Sequence, residues 1–391
     1  MRPVIIIGSG MAGYTVASEF RKHDKSTPLL VVSNDDGAFY AKPMLSNAFA
    51  MGKLATQLVS QTAEQMALQL DATVMQYMKV NQIDSISKTI STVNARLGYS
   101  KLVLAVGSQP IRLPLAGNAA DQIMSINNLQ DYKKLREAIA VKAGATRIVI
   151  LGAGLIGCEF SDDLTTAGHH VTMVDPNHLP LSGLAPQPIA HALKVALELR
   201  GVQFIMGTTA SSIDQHQDTK SLQVRLANGA IVIADIVVSA VGLRPDVMLA
   251  QGANLETERG IVVDVTGQTS VQDIYAIGDC AQYTNPKNGE CQILPYIAPI
   301  MAAARAIASN LAGDAKQIEF KLSPVIVKTP SYPIALLPPS SHIVAKGRWE
   351  LERIAEMNIS RFYDVGNQMK GFAVSPHEVK IRTALLAEIV M

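Results

Sequence analysis

Two stretches of this chain carry glycines at a spacing that can do chemistry. Gly8-Ser9-Gly10-Met11-Ala12-Gly13 and Gly152-Ala153-Gly154-Leu155-Ile156-Gly157 both read Gly-x-Gly-x-x-Gly. In such a stretch the first glycine makes a tight turn, the second lets backbone approach a pyrophosphate, and the third lets a helix pack closely on a strand. The helix N-terminus then offers N–H groups and a positive dipole end to the phosphates. An acid roughly 20 residues further on can bond an adenosine ribose. Asp35 stands 22 residues after Gly13, and Asp175 stands 18 after Gly157. One such pattern is a weak signal, because glycine turns are common; two in register are a strong one.

The flanking residues supply the elements these glycines need. The β-branched run Val4–Ile7 precedes the first stretch, a helix is expected over Tyr14 to Lys22, and a second strand over Leu29–Val32. The second copy repeats the order with Arg147–Leu151, a helix over Cys158 to Thr166, and Val171–Val174 ending at Asp175. Val80–Ile86, Thr89–Val93 and Tyr99–Val106 read as three short strands, and Thr209–Ile213, Leu222–Leu226 and Ile231–Ala240 repeat them, with the hairpin signal Asn228-Gly229 before the last. Each copy is expected to be a strand–helix–strand unit with an antiparallel meander attached. A strand ending in Gly278-Asp279 and a helix around Ala302 to Leu311 follow. From about residue 316 prolines, short alternating runs and a helix near Val379 to Ile389 mark a smaller third domain.

Composition narrows the function. The chain has 391 residues, 48% hydrophobic and 17% charged, which predicts a large core and excludes global disorder. With 34 Lys and Arg against 33 Asp and Glu, it lacks the basic excess a polyanion binder needs, so no nucleic acid is expected. The 3 cysteines, at 158, 280 and 291, form no Cys-x-x-Cys, which excludes a disulfide scaffold, a zinc ribbon and a dithiol centre and suits a reducing cytosol. The first apolar run is short and ends in a glycine turn, unlike a signal peptide. The longest apolar stretch, about Leu294 to Gly313, holds Arg305 and two prolines, so no membrane insertion is expected and the expected location is cytoplasmic. His169-His170 are expected to face solvent in a turn, and no metal site is expected.

Two dinucleotide sites in one chain are best filled by one tightly held flavin and one exchangeable nicotinamide, because a flavin can accept a hydride and release single electrons. A carboxylate at Asp175 bonds a 2′-OH and repels a 2′-phosphate, and Pro176, Asn177 and His178 offer no Lys or Arg to that phosphate, so NADH is favoured over NADPH. The plainer alternative makes Asp175 a strand-end turn residue.

At this point the chain resembles the two-dinucleotide-domain flavoprotein reductases, and more narrowly the bacterial rubredoxin–NAD⁺ reductases. The residues that carry the resemblance are Val4–Tyr14, Ala41-Lys42-Pro43-Met44-Leu45-Ser46, Leu151–Phe160, Val238–Pro245, Ile274–Ala281 and Val327-Lys328-Thr329-Pro330. The resemblance implies an α/β fold of two Rossmann-like dinucleotide-binding domains plus a small α+β C-terminal domain. The FAD domain would be discontinuous, residues 1–115 and 241–315; the NAD(H) domain, 116–240, would be inserted; 316–391 would form the C-terminal domain.

The resemblance also implies residue roles. Gly8, Ser9, Gly10, Met11, Ala12 and Gly13 would cradle the pyrophosphate of non-covalent FAD. Asn34, Asp35 or Asp36 would bind its ribose, with Asp35 favoured. Val80 would hold the adenine through its backbone, Asp279 the ribityl chain, and Ile297 would meet the flavin ring. Gly242 closes the second copy. Gly152, Gly154, Leu155, Gly157 and Asp175 would hold NADH as the substrate. Lys42 and Glu159 would meet near the flavin N5, where hydride arrives, and Lys328 would reach the pyrimidine side. Each has a plainer reading: Lys42 as a surface charge before Pro43, Glu159 as a first-turn acid favoured by the helix dipole, Lys328 as a solvated strand end.

Related disulfide reductases need a redox cysteine in the stretch Tyr40 to Phe49, which has none; Cys158 and Cys280 read as small packed residues. Electrons are therefore expected to leave to a one-electron protein carrier, and the resemblance implies that this carrier is rubredoxin, a small acidic iron protein, as in alkane-hydroxylation chains. From residue 316 on there are 10 Lys and Arg against 7 Asp and Glu, compatible with its docking there. A monomer is expected. The alternatives are an NADH-dependent [2Fe–2S] ferredoxin reductase of an oxygenase system and a non-catalytic NADH-sensing flavoprotein.

Overall fold

The computed structural model describes residues 1–285 and 289–389. The chain divides into two compact units, one of Met1–Lys42, Thr56–Ile111 and Leu243–Lys321, the other of Pro43–Ala55, Arg112–Gly242 and Leu322–Met391. Both are α/β and each holds one of the glycine loops.

The first unit is built on a five-stranded parallel sheet in the order Ile274–Ala276, Lys101–Leu104, Val4–Ile7, Leu29–Val32, Thr73–Met75. All four residues of Val4–Ile7 are buried, as a central parallel strand covered on both faces requires. The Met11–His23 helix starts directly behind Gly10 and buries Tyr14, Val16, Ala17 and Phe20 against this sheet. Its last turn carries Arg21, Lys22 and His23, cations that suit the negative end of the dipole. The Ile297–Ala312 helix packs on the same layer. It ends at Gly313, whose φ of +101° closes it, and Lys101 Nζ donates to the carbonyls of Asn310 and Leu311.

The second unit repeats the plan with a four-stranded parallel sheet, Gln203–Met206, His170–Asp175, Arg147–Leu151, Ile236–Ser239. Its C-terminal part is a five-stranded antiparallel sheet in the order Val325–Val327, Ile334–Leu337, Met369–Ser375, Met357–Tyr363, Arg348–Ile354, with the Val379–Glu388 helix packed on it.

The meanders differ from the sequence expectation at their last strand. Val80–Asp84, Thr89–Thr92 and Arg96–Gly98 form the first meander, and Lys101–Leu104 crosses into the parallel sheet. Likewise the expected single strand over Ile231–Ala240 splits at Asp235. Ile231–Ala234 completes the second meander and Ile236–Ser239 joins the parallel sheet. Arg147 grips the Asp235 carboxylate through Nε and Nη2 at the split, which fixes where the chain changes sheets. Hydrophobic pattern cannot reveal such a split, because both halves are apolar.

Candidate functional site

In the first glycine loop the need for glycine is steric. Gly8 has φ +113°, and a Cβ there would lie 2.2 Å from Ala105 O; a Cβ on Gly13 would lie 2.0 Å from Gly8 O. Gly10 is the contrast: among the described residues no atom comes within 4 Å of a Cβ built on it. It is also the N-cap of the Met11–His23 helix, with no side chain to bond the first-turn N–H groups. The loop therefore combines two tight contacts with open space at a helix N-terminus, which fits a pyrophosphate.

The acids around this loop have distinct jobs. Asp35 Oδ1 accepts from Ser33 Oγ, from Gly37 N at 3.0 Å and from Ser9 Oγ at 3.3 Å, which ties it to the glycine loop. Asp36 accepts from Ala38 N at 3.1 Å, a local turn bond. Asp279 follows Gly278, where a Cβ would be 3.0 Å from the Ala12 Cβ, so this turn sits at the start of the helix. Asp279 Oδ2 accepts from Ser108 Oγ at 3.0 Å and lies 3.8 Å from Lys42 Nζ. Val80 is buried at the start of its strand, and Ile297 is half exposed at the first turn of its helix.

The second loop repeats the geometry. Gly152 has φ +105° with its Cβ position 2.6 Å from Ala240 O, Gly157 would clash with Gly152 O at 2.0 Å, and Gly154 faces open space. Asp175 is 8% exposed. Its Oδ2 accepts from Ala153 N at 2.6 Å, inside the loop, and its Oδ1 accepts from Asn177 N and Nδ2 at 2.8 Å. Leu155 opens the helix Leu155–Thr166, and Gly242 is exposed with φ +112°.

That helix carries three buried carboxylates, Glu159, Asp162 and Asp163. Glu159 Oε2 accepts from Lys328 Nζ and from Ser46 Oγ, each at 2.5 Å, and Oε1 accepts from Lys328 N at 2.9 Å. Asn47 completes the cluster: its Nδ2 donates to Lys328 O at 2.7 Å and its Oδ1 accepts from Lys328 Nζ at 3.2 Å. Asp162 accepts from Ser331 N and Ser331 Oγ. Asp163 accepts from Phe49 N and Ala50 N. The expectation placed Lys42 opposite Glu159; the structure gives Glu159 the cation Lys328. Ser46, Asn47, Asp162, Asp163 and Ser331 escaped the sequence reading. The available signal was Glu-x-x-Asp-Asp on a helix with no other charged residue.

Burial pushes the Cys158 thiol far up, with the Glu159 carboxylate adding to it, and pushes the Cys280 thiol to about 11. Both are packed, protonated side chains. His169 is also packed, against expectation: its ring meets Phe49 edge-on and its Nδ1 accepts from Thr146 N. Among the described residues no group of His, Cys, Asp and Glu is placed to hold a metal ion, and no helix is long and apolar enough to cross a membrane.

Residues 2–306 match the pyridine nucleotide-disulphide oxidoreductase family, and residues 317–389 match the rubredoxin binding C-terminal domain. The chain is 41% identical to a rubredoxin-NAD(+) reductase of Acinetobacter baylyi, over 96% of this chain and 94% of that one. It is 39% identical to a rubredoxin-NAD(+) reductase of Alcanivorax borkumensis over 100% and 99%. Among solved structures, a ferredoxin reductase from Rhodopseudomonas palustris shares the fold with a TM-score of 0.89 at 22% identity, over 100% of this chain and 96% of that one.

Proposed function

The chain belongs to the pyridine nucleotide-disulphide oxidoreductase family, and on that premise we propose that it is an NADH-dependent flavoprotein that passes electrons to rubredoxin. The observation that carries this reading is the pairing of two glycine cradles with a C-terminal segment that matches rubredoxin-binding domains and is similar end to end in two rubredoxin reductases. Bound FAD would supply a two-electron acceptor for hydride and a one-electron donor for iron.

The residues have these roles in the proposal. Gly8 to Gly13 bind the FAD pyrophosphate by backbone, Asp35 and not Asp36 takes the ribose, Val80 meets the adenine, and Asp279 the ribityl chain. Ile297 abuts the ring. Gly152, Gly154, Leu155 and Gly157 bind the NADH pyrophosphate. Asp175 disfavours a 2′-phosphate, with no Lys or Arg over 176–178 to offset it. Glu159 and Lys328 form a fixed ion pair, and Lys42 is held by Asp279 within its own unit. Buried, protonated Cys158 and Cys280 leave thiolate chemistry out of the route. The acceptor is a single-iron protein, and the protein works as a cytoplasmic monomer.

The test is an absorption spectrum of the purified protein followed by titration. Bound flavin bleached by NADH, and less readily by NADPH, with reduction of rubredoxin faster than of a [2Fe–2S] ferredoxin, is expected. Folded, colourless protein that gains no flavin on reconstitution overturns the reading.

A further inference from the structure

We infer that Asp163 is a positioning residue for the Glu159 carboxylate, acting through the turn that supplies Ser46 and Asn47. This rests on the reading that Glu159 serves the hydride-transfer site. Asp163 lies one turn after Glu159 on the same face of the Leu155–Thr166 helix. It is 4% exposed, and its two oxygens hold two consecutive backbone donors, Phe49 N at 2.8 Å and Ala50 N at 2.9 Å. Those residues follow Ser46 and Asn47 with only Ala48 between, and Ser46 and Asn47 bind Glu159 and Lys328. One carboxylate therefore fixes the turn, and the turn fixes the partners of the other carboxylate.

Asparagine cannot replace this group. Both Asp163 oxygens accept from backbone N–H, and an amide NH₂ would face one of them donor to donor. Asp162 is the internal contrast. One of its partners is the Ser331 hydroxyl, which accepts from Arg200 Nε at 3.0 Å and can accept from an amide as well. Protonation of Asp163 would likewise turn one oxygen into a donor. Burial holds its carboxyl at about 6, against the pull of the Ala50 and Phe49 N–H groups; adjacent Asp162 adds to the rise and Arg136, from the Leu129–Ala140 helix, opposes it. Among the described residues, the other titratable groups facing this turn are Lys328, whose Nζ donates to Ser46 Oγ and Asn47 Oδ1, Glu159, one helical turn back, and His169, whose ring lies on Phe49 and whose charge burial disfavours.

The experiment follows two readouts in the flavin-loaded full chain. The first is the ammonium signal of Lys328 in ¹⁵N-lysine-labelled protein, identified by its loss in Lys328→Met. The second is the rate constant of flavin reduction by NADH in a single turnover, across pH. Asp163→Asn should abolish the protected Lys328 signal and slow reduction roughly 10- to 100-fold, the scale of a small misplacement at a reacting centre. Asp162→Asn should slow it less than about threefold. In the unsubstituted protein, and in His169→Gln, the Lys328 signal should broaden as pH falls through about 6, so the inference is testable even where Asp163→Asn does not fold. A Lys328 signal that stays sharp below pH 6, or is unchanged in Asp163→Asn, overturns it. Failure of NADH to bleach the flavin would strike the functional reading and leave the Lys328 readout standing.

Discussion

At Glu159 a fully buried carboxylate faces an ammonium whose side chain is 32% exposed, and the two halves of the pair respond differently to removal. Lys328→Met leaves a buried carboxylate with hydroxyl and backbone donors but no cation, a change that costs about 3–5 kcal/mol in comparable pairs. Glu159→Gln leaves an ammonium that reaches water, so a cost nearer ~1–2 kcal/mol is expected. The double substitution should be more stable than the sum of the singles, and urea unfolding of the four proteins measures this. Both singles should slow flavin reduction. Asp163 adds a pH dependence with a definite sign. Its carboxyl is held at about 6 against a usual 3.8, so protonation favours the folded state. That stabilisation is full below about pH 4 and is lost as pH rises through 6, in all about 3 kcal/mol. The stability of the unsubstituted protein relative to Asp163→Asn, followed by thermal melts from pH 4 to 7.5, should fall as pH rises across that window. A difference that is flat with pH would show that the carboxyl titrates normally.

The strand–loop–helix elements were legible because everything they need is local. The glycines, the strand before and the helix after fall within about 25 residues, and the structure sets Gly13 and Gly157 under the carbonyls of Gly8 and Gly152. The Glu159 cluster was not legible, because Ser46 and Lys328 are 282 residues apart and only the fold brings them together. The split of Ile231–Ala240 was hidden for another reason: a change of sheet leaves hydrophobic pattern untouched. The loops make a paired prediction. Gly10→Ala and Gly154→Ala put a methyl into open space, so both should fold. Gly10→Ala should lose FAD, while Gly154→Ala should keep FAD and bind NADH at least about tenfold more weakly, ~1.4 kcal/mol. Gly13→Ala and Gly157→Ala force a methyl to 2.0 Å from a carbonyl oxygen and should instead lower soluble yield or thermal midpoint. Flavin content and NADH titration separate these outcomes, and equal behaviour of Gly10→Ala and Gly13→Ala would undo the distinction between cradle and packing glycines.

For the whole molecule, the C-terminal segment has two separable jobs. From residue 316 on, 10 cations against 7 anions suit an acidic carrier, and that contribution is screened: with a Debye length of about 8 Å at physiological salt, turnover with rubredoxin should fall as salt rises. Its other job is internal to its unit. Lys328 and Ser331 hold two of the three buried carboxylates of the Leu155–Thr166 helix. Removing residues 322–391 would leave Glu159 without a cation and Asp162 without either donor from Ser331, and unpaired buried charge is among the costliest defects a fold can carry. A chain cut after Lys321 should therefore lose more than rubredoxin reduction. NADH-driven reduction of ferricyanide, which needs no protein docking, should also fall at least about tenfold, and the thermal midpoint should drop. High salt on the full chain should slow rubredoxin reduction while leaving ferricyanide reduction within about twofold. A truncated chain that keeps full ferricyanide activity and stability would mean that Lys328 and Ser331 are dispensable to the helix, and that the segment serves docking alone.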